Sequence, residues 1–295
     1  MATILITGGT GMIGSVLDRQ LREAGHETRI VSRRRGDVKW DPSKGFLPQD
    51  AYDGVDHIIH LAGAGIADKR WTKARKEELI SSRLNTTKIL TDALQNRDHQ
   101  IKSFICASAV GFYGSRGDEV LTEESTAGTG FLADLSGKWE DAAIEASKAG
   151  VRTVRARIGI VLSMLGGALP EMTKTAPIYG LLGGGGVWLP VIHVEDMAAA
   201  LRWFIETDSA EGAYNVCGPE PIAQGDLMRE VLKLPGKNGF TAPVPEFGLH
   251  LILGEMADVV LQSTRTLPKR LEAEGFEWRF ARTPEMLRDL YGIDQ

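Results

Sequence analysis

Three glycines at three-residue spacing open the chain's chemistry. Gly8, Gly11 and Gly14 stand in Gly8-Gly9-Thr10-Gly11-Met12-Ile13-Gly14, directly after the apolar run Ala2 to Thr7. A helical pattern follows, with Val16, Leu17, Leu21 and Ala24 on one side. Strand, glycine turn and helix together make a phosphate cradle: one glycine for the tight turn, one for close backbone approach, one for helix–strand packing. The first turn of the helix adds free N–H groups and the positive end of its dipole. A second cluster, Ser32-Arg33-Arg34-Arg35, follows the next apolar run, Glu27 to Ser32, and no carboxylate appears before Asp37. In a dinucleotide site that place holds Asp or Glu when a ribose 2′-hydroxyl is bound. Serine and arginine suit a 2′-phosphate instead, through charge and fork geometry. The expected cofactor is therefore NADP(H).

These groups need strands to carry them. Apolar runs alternate with helical patterns through the first half, which predicts a parallel sheet with crossover helices. Strands are expected at Ala2–Thr7, Glu27–Ser32, Val38–Asp41, His57–Leu61, Ser103–Ala107 and Val151–Arg157, with helices over 72–94 and 134–149. The fold class is α/β: a Rossmann-type doubly wound sheet with a smaller, mainly helical C-terminal region. The dinucleotide-binding domain is placed at 1–165 and the substrate or cap region at 166–295, with strands around 190–217 returning to the first domain. In such sheets ligands lie outside the carboxyl ends of the strands, so the loops after strands one, two, four and five should share one crevice.

Composition narrows the class. A net charge of −5 argues against a general nucleic-acid surface. No stretch approaches the ~18 apolar residues of a membrane span, and the N-terminal run reads as a strand rather than a signal. Cys106 and Cys217 lie far apart in apolar runs, as buried free thiols of a reducing, cytoplasmic compartment do. The six histidines are scattered and show no metal-ligand spacing.

Four segments in this order resemble the extended short-chain dehydrogenase/reductases: Thr7-Gly8-x-x-Gly11-x-x-Gly14, Leu61-Ala62-Gly63, Ser108 to Gly114, and Val191 to Asp196 followed by Tyr214-Asn215-Val216. Ala67 to Trp71, Ser82-Arg83, Lys138-Trp139-Glu140, Gly254-Glu255 and Leu267 to Arg270 are similar to the atypical "epimerase family protein" branch, whose reaction is not established. The resemblance implies cofactor contacts from Gly8, Thr10, Gly11, Met12, Ile13, Gly14, Ser32, Arg33, Arg34, Leu61, Ala62, Gly63, Glu78, Arg83, Lys138 and Val161, and no metal. It also implies a catalytic Ser-Tyr-Lys set, in which Tyr exchanges a substrate proton and Lys holds the nicotinamide ribose. Ser108 fits the Ser and Lys138 the Lys, but the Tyr position four before Lys138 is Asp134. Either Tyr113 supplies the phenol or nothing does.

The substrate is expected to be a small molecule, sugar-like or anionic. Lys69, Arg70, Trp71, Trp188, Arg265, Lys269 and Arg270 are candidates to meet it, and Asn85 is a candidate backbone-positioning residue. His193 reads as a satisfied polar group, and Asp196 as a helix cap or loop anchor. Two functions stay open. One is an NADP(H)-dependent oxidoreductase or epimerase. The other is a weakly active or inactive NADP(H)-binding regulatory protein, related to cell division in some relatives. The chain is expected to be a monomer or a homodimer.

Overall fold

A computed structural model describes residues 1–293. The strands are β1 (Thr3–Thr7), β2 (Glu27–Ser32), β3 (Val38–Lys39), β4 (His57–His60), β5 (Ser103–Ala109), β6 (Arg152–Ile158) and β7 (Gly212–Val216). They form one sheet in the order β7-β6-β5-β4-β1-β2-β3, and every neighbouring pair is parallel. The order runs outward both ways from β1 and β4, so the chain reverses direction across the sheet between them. That is the switch point at which open α/β sheets bind ligands.

Four helices cover the sheet. α1 (Met12–Glu23) packs against α4 (Val194–Glu206), and α2 (Lys73–Asn96) against α3 (Phe131–Ile144). Two apolar layers result. Ile4, Ile6, Leu17, Leu21 and Ile105 meet Met197, Leu201 and Phe204 on the α1/α4 side. Leu5, Ile58, Phe104 and Cys106 meet Leu90, Leu94, Trp139 and Ala143 on the α2/α3 side. Strands buried on both faces need continuous apolar runs, as ILI, HIIH and SFICASA supply. Cys106 and Cys217 are free and buried.

Residues 190–217 divide in two. Gly212–Val216 joins the main sheet at its edge beside β6. Val191–His193 does not; it pairs with Ile160–Leu162 in a separate parallel ladder. Gly159 explains the departure. Its N–H reaches Val216 O at 2.9 Å while the next amide, Ile160, turns to Pro190 O at 2.8 Å. A Cβ on Gly159 would sit 2.2 Å from Pro190 O, so only glycine fits at this fork. Beyond it a further core gathers Leu169, Tyr179, Leu189, Leu227, Met228 and Met286. Leu271 and Phe276 reach back into the α1/α4 layer.

Candidate functional site

The glycine turn lies against the chain leaving β4. Gly8 has φ +76°, and a Cβ there would lie 2.8 Å from Leu61 C and 2.9 Å from Ala62 N. A Cβ on Gly14 would lie 2.4 Å from Gly8 O and 2.6 Å from Gly9 Cα. Both positions therefore require glycine, one for conformation and one for close packing. Gly11 N–H donates to Gly8 O at 3.0 Å. As N-cap of α1 it has no side chain to spend on the helix start, and no acidic residue lies in the first turn. The amides at that start stay available to an anion.

Above the turn is a cleft of about 670 Å³. It brings together nine of the expected cofactor residues: Gly8, Thr10, Gly11, Ser32, Arg33, Leu61, Ala62, Gly63 and Glu78. Asn85 and Ser82 of α2 also line it. So do residues 40–43, which the sequence reading missed. Their only signal is position, since they continue the chain after β3. Trp40 is buried, with its indole N–H on Phe46 O at 3.0 Å, and Asp41 accepts from Ser43 N at 3.0 Å. Met12, Ile13, Gly14, Arg34, Val161 and Arg83 lie outside the cleft wall. Met12 Sδ and Val161 O instead converge on Gly167, at 3.4 Å and 3.7 Å from the place of its missing Cβ.

Charge at the rim is one-sided after β2. Arg33, Arg34 and Arg35 are exposed and make no ion pair among the described residues. Ser32 Oγ accepts the amides of Arg34 and Arg35 at 3.4 Å each, which shapes the turn. Asp37, the first carboxylate, points back and accepts Ile30 N–H at 2.8 Å. Across the cleft Glu78 is held by Arg75 at 2.6 Å. That hydrogen bond, with smaller help from the charges of Arg75, Lys69 and Arg33, keeps its carboxyl below the usual range.

Arg83 stands apart from the residues that line the cleft. The residue is 9% exposed, and its guanidinium lies against the loop after β4, outside the cleft lining. It donates to Leu79 O at 3.1 Å and Ala64 O at 3.0 Å and stacks over Trp139 at 5.1 Å. The place of a Cβ on Gly63 is 3.3 Å from its Cζ. Burial first, then the charge of Arg75, lowers its pKa to about 10. Arg83 supports the loop that touches the cleft.

The corner where β5 meets α3 differs from expectation. Ser108 is 3% exposed, and its hydroxyl donates to Glu140 Oε1 at 2.8 Å. Glu140 takes Arg157 Nε at 2.8 Å and Nη2 at 2.9 Å. Arg157 Nη1 donates to Tyr113 Oη at 2.8 Å, and Tyr113 donates to Asn215 Oδ1 at 2.7 Å. Tyr113 is fully buried, and burial pushes its pKa up to about 12. Its phenol is sealed in this network. Lys138 is exposed, on one helix stripe with Asp134 and Asp141. The inward stripe is Leu132, Ser136 and Glu140, two residues earlier. Leu132 Cβ and Ser136 Oγ face Gly111 in the turn after β5, at 3.3 Å and 3.8 Å from the place of its missing Cβ. Neither register pairs a Tyr with a Lys.

Residues 4–217 match the model of the NAD dependent epimerase/dehydratase family. The chain belongs to that family. Residues 244–290 match a second model, a domain of unknown function designated DUF1731. The epimerase family protein YfhF of Bacillus subtilis is 34% identical, over 94% of each chain. The human epimerase family protein SDR39U1, solved with NADPH, superposes with TM-score 0.88 at 27% identity, covering 98% of this chain and 99% of that one. A nucleoside-diphosphate sugar epimerase from Corynebacterium glutamicum gives TM-score 0.82 at 32% identity, over all of this chain and 59% of that one.

In this epimerase-family chain the His-Val-Glu-Asp segment is architectural. His193 Nδ1 accepts Glu195 N–H at 3.1 Å and so caps α4. Asp196 takes the alternative of loop anchor, accepting the amides of Arg279 and Phe280 at 2.9 Å each. Of the basic candidates, Arg270 is tied to Glu274, Tyr214 and two carbonyls, and Lys269 to Glu272. Arg265 stacks on Trp188, whose indole N–H reaches Asp118 at 2.7 Å. Among the described residues no helix is long and apolar enough to cross a membrane.

Proposed function

We propose that this protein binds NADP(H) in the cleft above its glycine turn. We read it as a cytoplasmic oxidoreductase or epimerase of the extended short-chain dehydrogenase type, acting on a small molecule as a monomer or homodimer. One observation carries the cofactor choice. Arg33 lines the cleft with Arg34 and Arg35 next to it in the chain, none of the three in an ion pair among the described residues, while Asp37 is turned away onto Ile30 N. A cationic rim suits a 2′-phosphate, which takes charge-assisted hydrogen bonds, and the carboxylate that would accept from a 2′-hydroxyl is absent from this place. The NADPH bound by human SDR39U1 supports the same reading.

Bound cofactor would supply a hydride donor or acceptor. The chain's own part is to hold it. The glycine turn and the start of α1 would take the pyrophosphate, and Arg33 with Ser32 the 2′-phosphate. Glu78 and Asn85 line the opposite wall, and Arg83 steadies Ala64 from below. Proton exchange has no Tyr–Lys pair to run it, so any turnover uses another group and is slow.

The closed corner favours a second reading, in which the protein holds NADP(H) and acts by binding a partner. The test is the redox state of the copurifying cofactor and its fate when a metabolite library is added. Oxidation or reduction by any metabolite supports the enzyme. Tight, inert cofactor with a specific pulled-down partner supports the second reading. Absence of any NADP(H) binding would remove both.

A further inference from the structure

Arg75 stands behind the cleft wall. It is the third residue of α2, where the positive end of the helix dipole disfavours a cation. Yet the residue is only 6% exposed. Burying a guanidinium costs desolvation that half-exposed carboxylates return only in part. Helix stability therefore does not account for its placement. Its partners do. Nη1 donates to Glu78 Oε2 at 2.6 Å, and Nη2 donates to Gly65 O in the loop after β4. Asp68 Oδ2 lies 3.8 Å from Nη2. Gly65 lets that carboxylate fold back over it, since a Cβ there would sit 2.3 Å from Asp68 Oδ1.

Glu78 lines the cleft with its side chain 50% exposed. Arg75 holds Oε2, while Oε1 carries no hydrogen bond among the described residues. An ionised carboxylate only accepts. It suits the ribose hydroxyls or amino groups of a dinucleotide, but it repels the phosphates of the same molecule. The charges of Lys69 and Arg33 reach Glu78, but among the described residues only Arg75 bonds to it. The next cation along the helix, Lys76, is taken by Glu255. Arg75 thus offsets the Glu78 charge and fixes the carboxylate with one oxygen bound and one free.

We propose that Arg75 is a positioning residue of the cofactor site. By neutralising and orienting Glu78 from behind, it lets that wall accept the cofactor's hydroxyl or amino donors without repelling its phosphates. The proposal rests on the cofactor reading above. Calorimetry of the full chain with NADPH, and a melting curve for each variant, test it. Arg75→Met leaves Glu78 bare and should weaken NADPH binding roughly tenfold. Arg75→Gln, which keeps an N–H for Gly65 O without the charge, should do the same. Arg75→Lys, which keeps the charge, should stay within about threefold of the parent, as should Glu78→Gln alone. The double variants decide. Adding Glu78→Gln to Arg75→Met or Arg75→Gln removes the bare charge. Affinity should return to that of Glu78→Gln, while the melting temperature stays at that of the Arg75 variant. A guanidinium that merely tethers the loop would give no such rescue, because Glu78→Gln cannot replace a tether. The proposal is overturned if the double variants bind as weakly as the Arg75 variants, or if Arg75→Met and Arg75→Gln bind as the parent does. A parent that binds no NADPH would remove the cofactor reading and this proposal with it. A parent that binds, without rescue in the double variants, would remove this proposal alone.

Discussion

The dinucleotide cleft and the corner between β5 and α3 sit on one edge of one sheet, yet they treat polar groups in opposite ways. In the cleft the start of α1 has no side-chain cap, and Arg33 is exposed and makes no ion pair among the described residues. In the corner Ser108, Glu140, Arg157, Tyr113 and Asn215 satisfy one another through hydrogen bonds of 2.7–2.9 Å. Buried polar groups that are fully paired stabilise and specify a fold. Charges left open beside a cavity suit a ligand. Ser108 and Tyr113, the expected substrate-facing pair, are bound into that closed network.

The comparison breaks most easily at Gly14. A methyl there meets backbone, Gly8 O and Gly9 Cα, which cannot rotate aside. Gly14→Ala should cost about 1–3 kcal/mol of stability and abolish NADPH binding in calorimetry. A variant that folds and binds normally would mean that the turn is not the cradle.

The two regions are joined by His60. Its Nδ1 meets Thr7 Oγ1 at 2.6 Å, directly before the glycine turn, and its Nε2 meets Thr87 Oγ1 at 3.1 Å. Thr87 in turn accepts Trp139 Nε1 of α3 at 3.0 Å. Burial lowers the His60 pKa to about 3 from the usual 6.5. Between those values the unfolded chain binds a proton that the native chain does not, so stability rises with pH there. Its contribution is complete above pH 6.5 and declines as pH falls toward the native value. From pH 6.5 to 5 the loss should be roughly 2 kcal/mol. His57, lowered to about 4 mainly by burial, acts with the same sign. Urea unfolding at the two pH values measures the slope, and His60→Asn should reduce it by about one proton.

Tyr113→Phe and Arg33→Ala form a mirrored pair. The first leaves Asn215 Oδ1 and Arg157 Nη1 short of a buried partner and should cost about 1–2 kcal/mol of stability, with NADPH affinity and any pH–rate profile unchanged. The second removes an exposed charge. It should leave the melting temperature alone but lower the preference for NADPH over NADH roughly 10–100-fold. Crossed outcomes, with affinity lost in the first and stability in the second, would reverse the assignment of open and closed regions.

What the sequence disclosed follows range. Gly8, Gly11 and Gly14 lie within seven residues and Ser32 and Arg33 at the end of their own strand, so the gathering of Gly8, Gly11, Ser32 and Arg33 on one cleft was legible from the strand–turn–helix order. The corner was not. Spacing of four fits Asp134/Lys138 and Leu132/Ser136 equally, and the phase of α3 is set by Glu140 reaching Arg157 on another element. Tyr113 was likewise decided by Asn215, 102 positions away. Arg83 was recognised as a residue of the site but not as one beneath it, because one of its two acceptors, Ala64 O, belongs to a loop 19 residues earlier. The strand at 191–193 was misplaced for a similar reason, since the fork at Gly159 depends on Pro190 O.

Lys138 gives the smallest effect and the sharpest test. A lysine that holds a ribose and lowers a phenol pKa acts on both binding and rate, and its loss would cost several kcal/mol of transition-state stabilisation. A lysine on the outer stripe of α3, with Asp134 and Asp141 as its neighbours on the helix, is worth a few tenths of a kcal/mol at most. Lys138→Ala should therefore change NADPH affinity, and the rate of any cofactor oxidation found by screening, by less than about twofold. Ser136→Lys asks the complementary question, since it places the ammonium on the inward stripe facing the turn after β5. If Lys138→Ala abolished binding or turnover, α3 would have to present its other face to the cofactor, and the closed corner would be open after all.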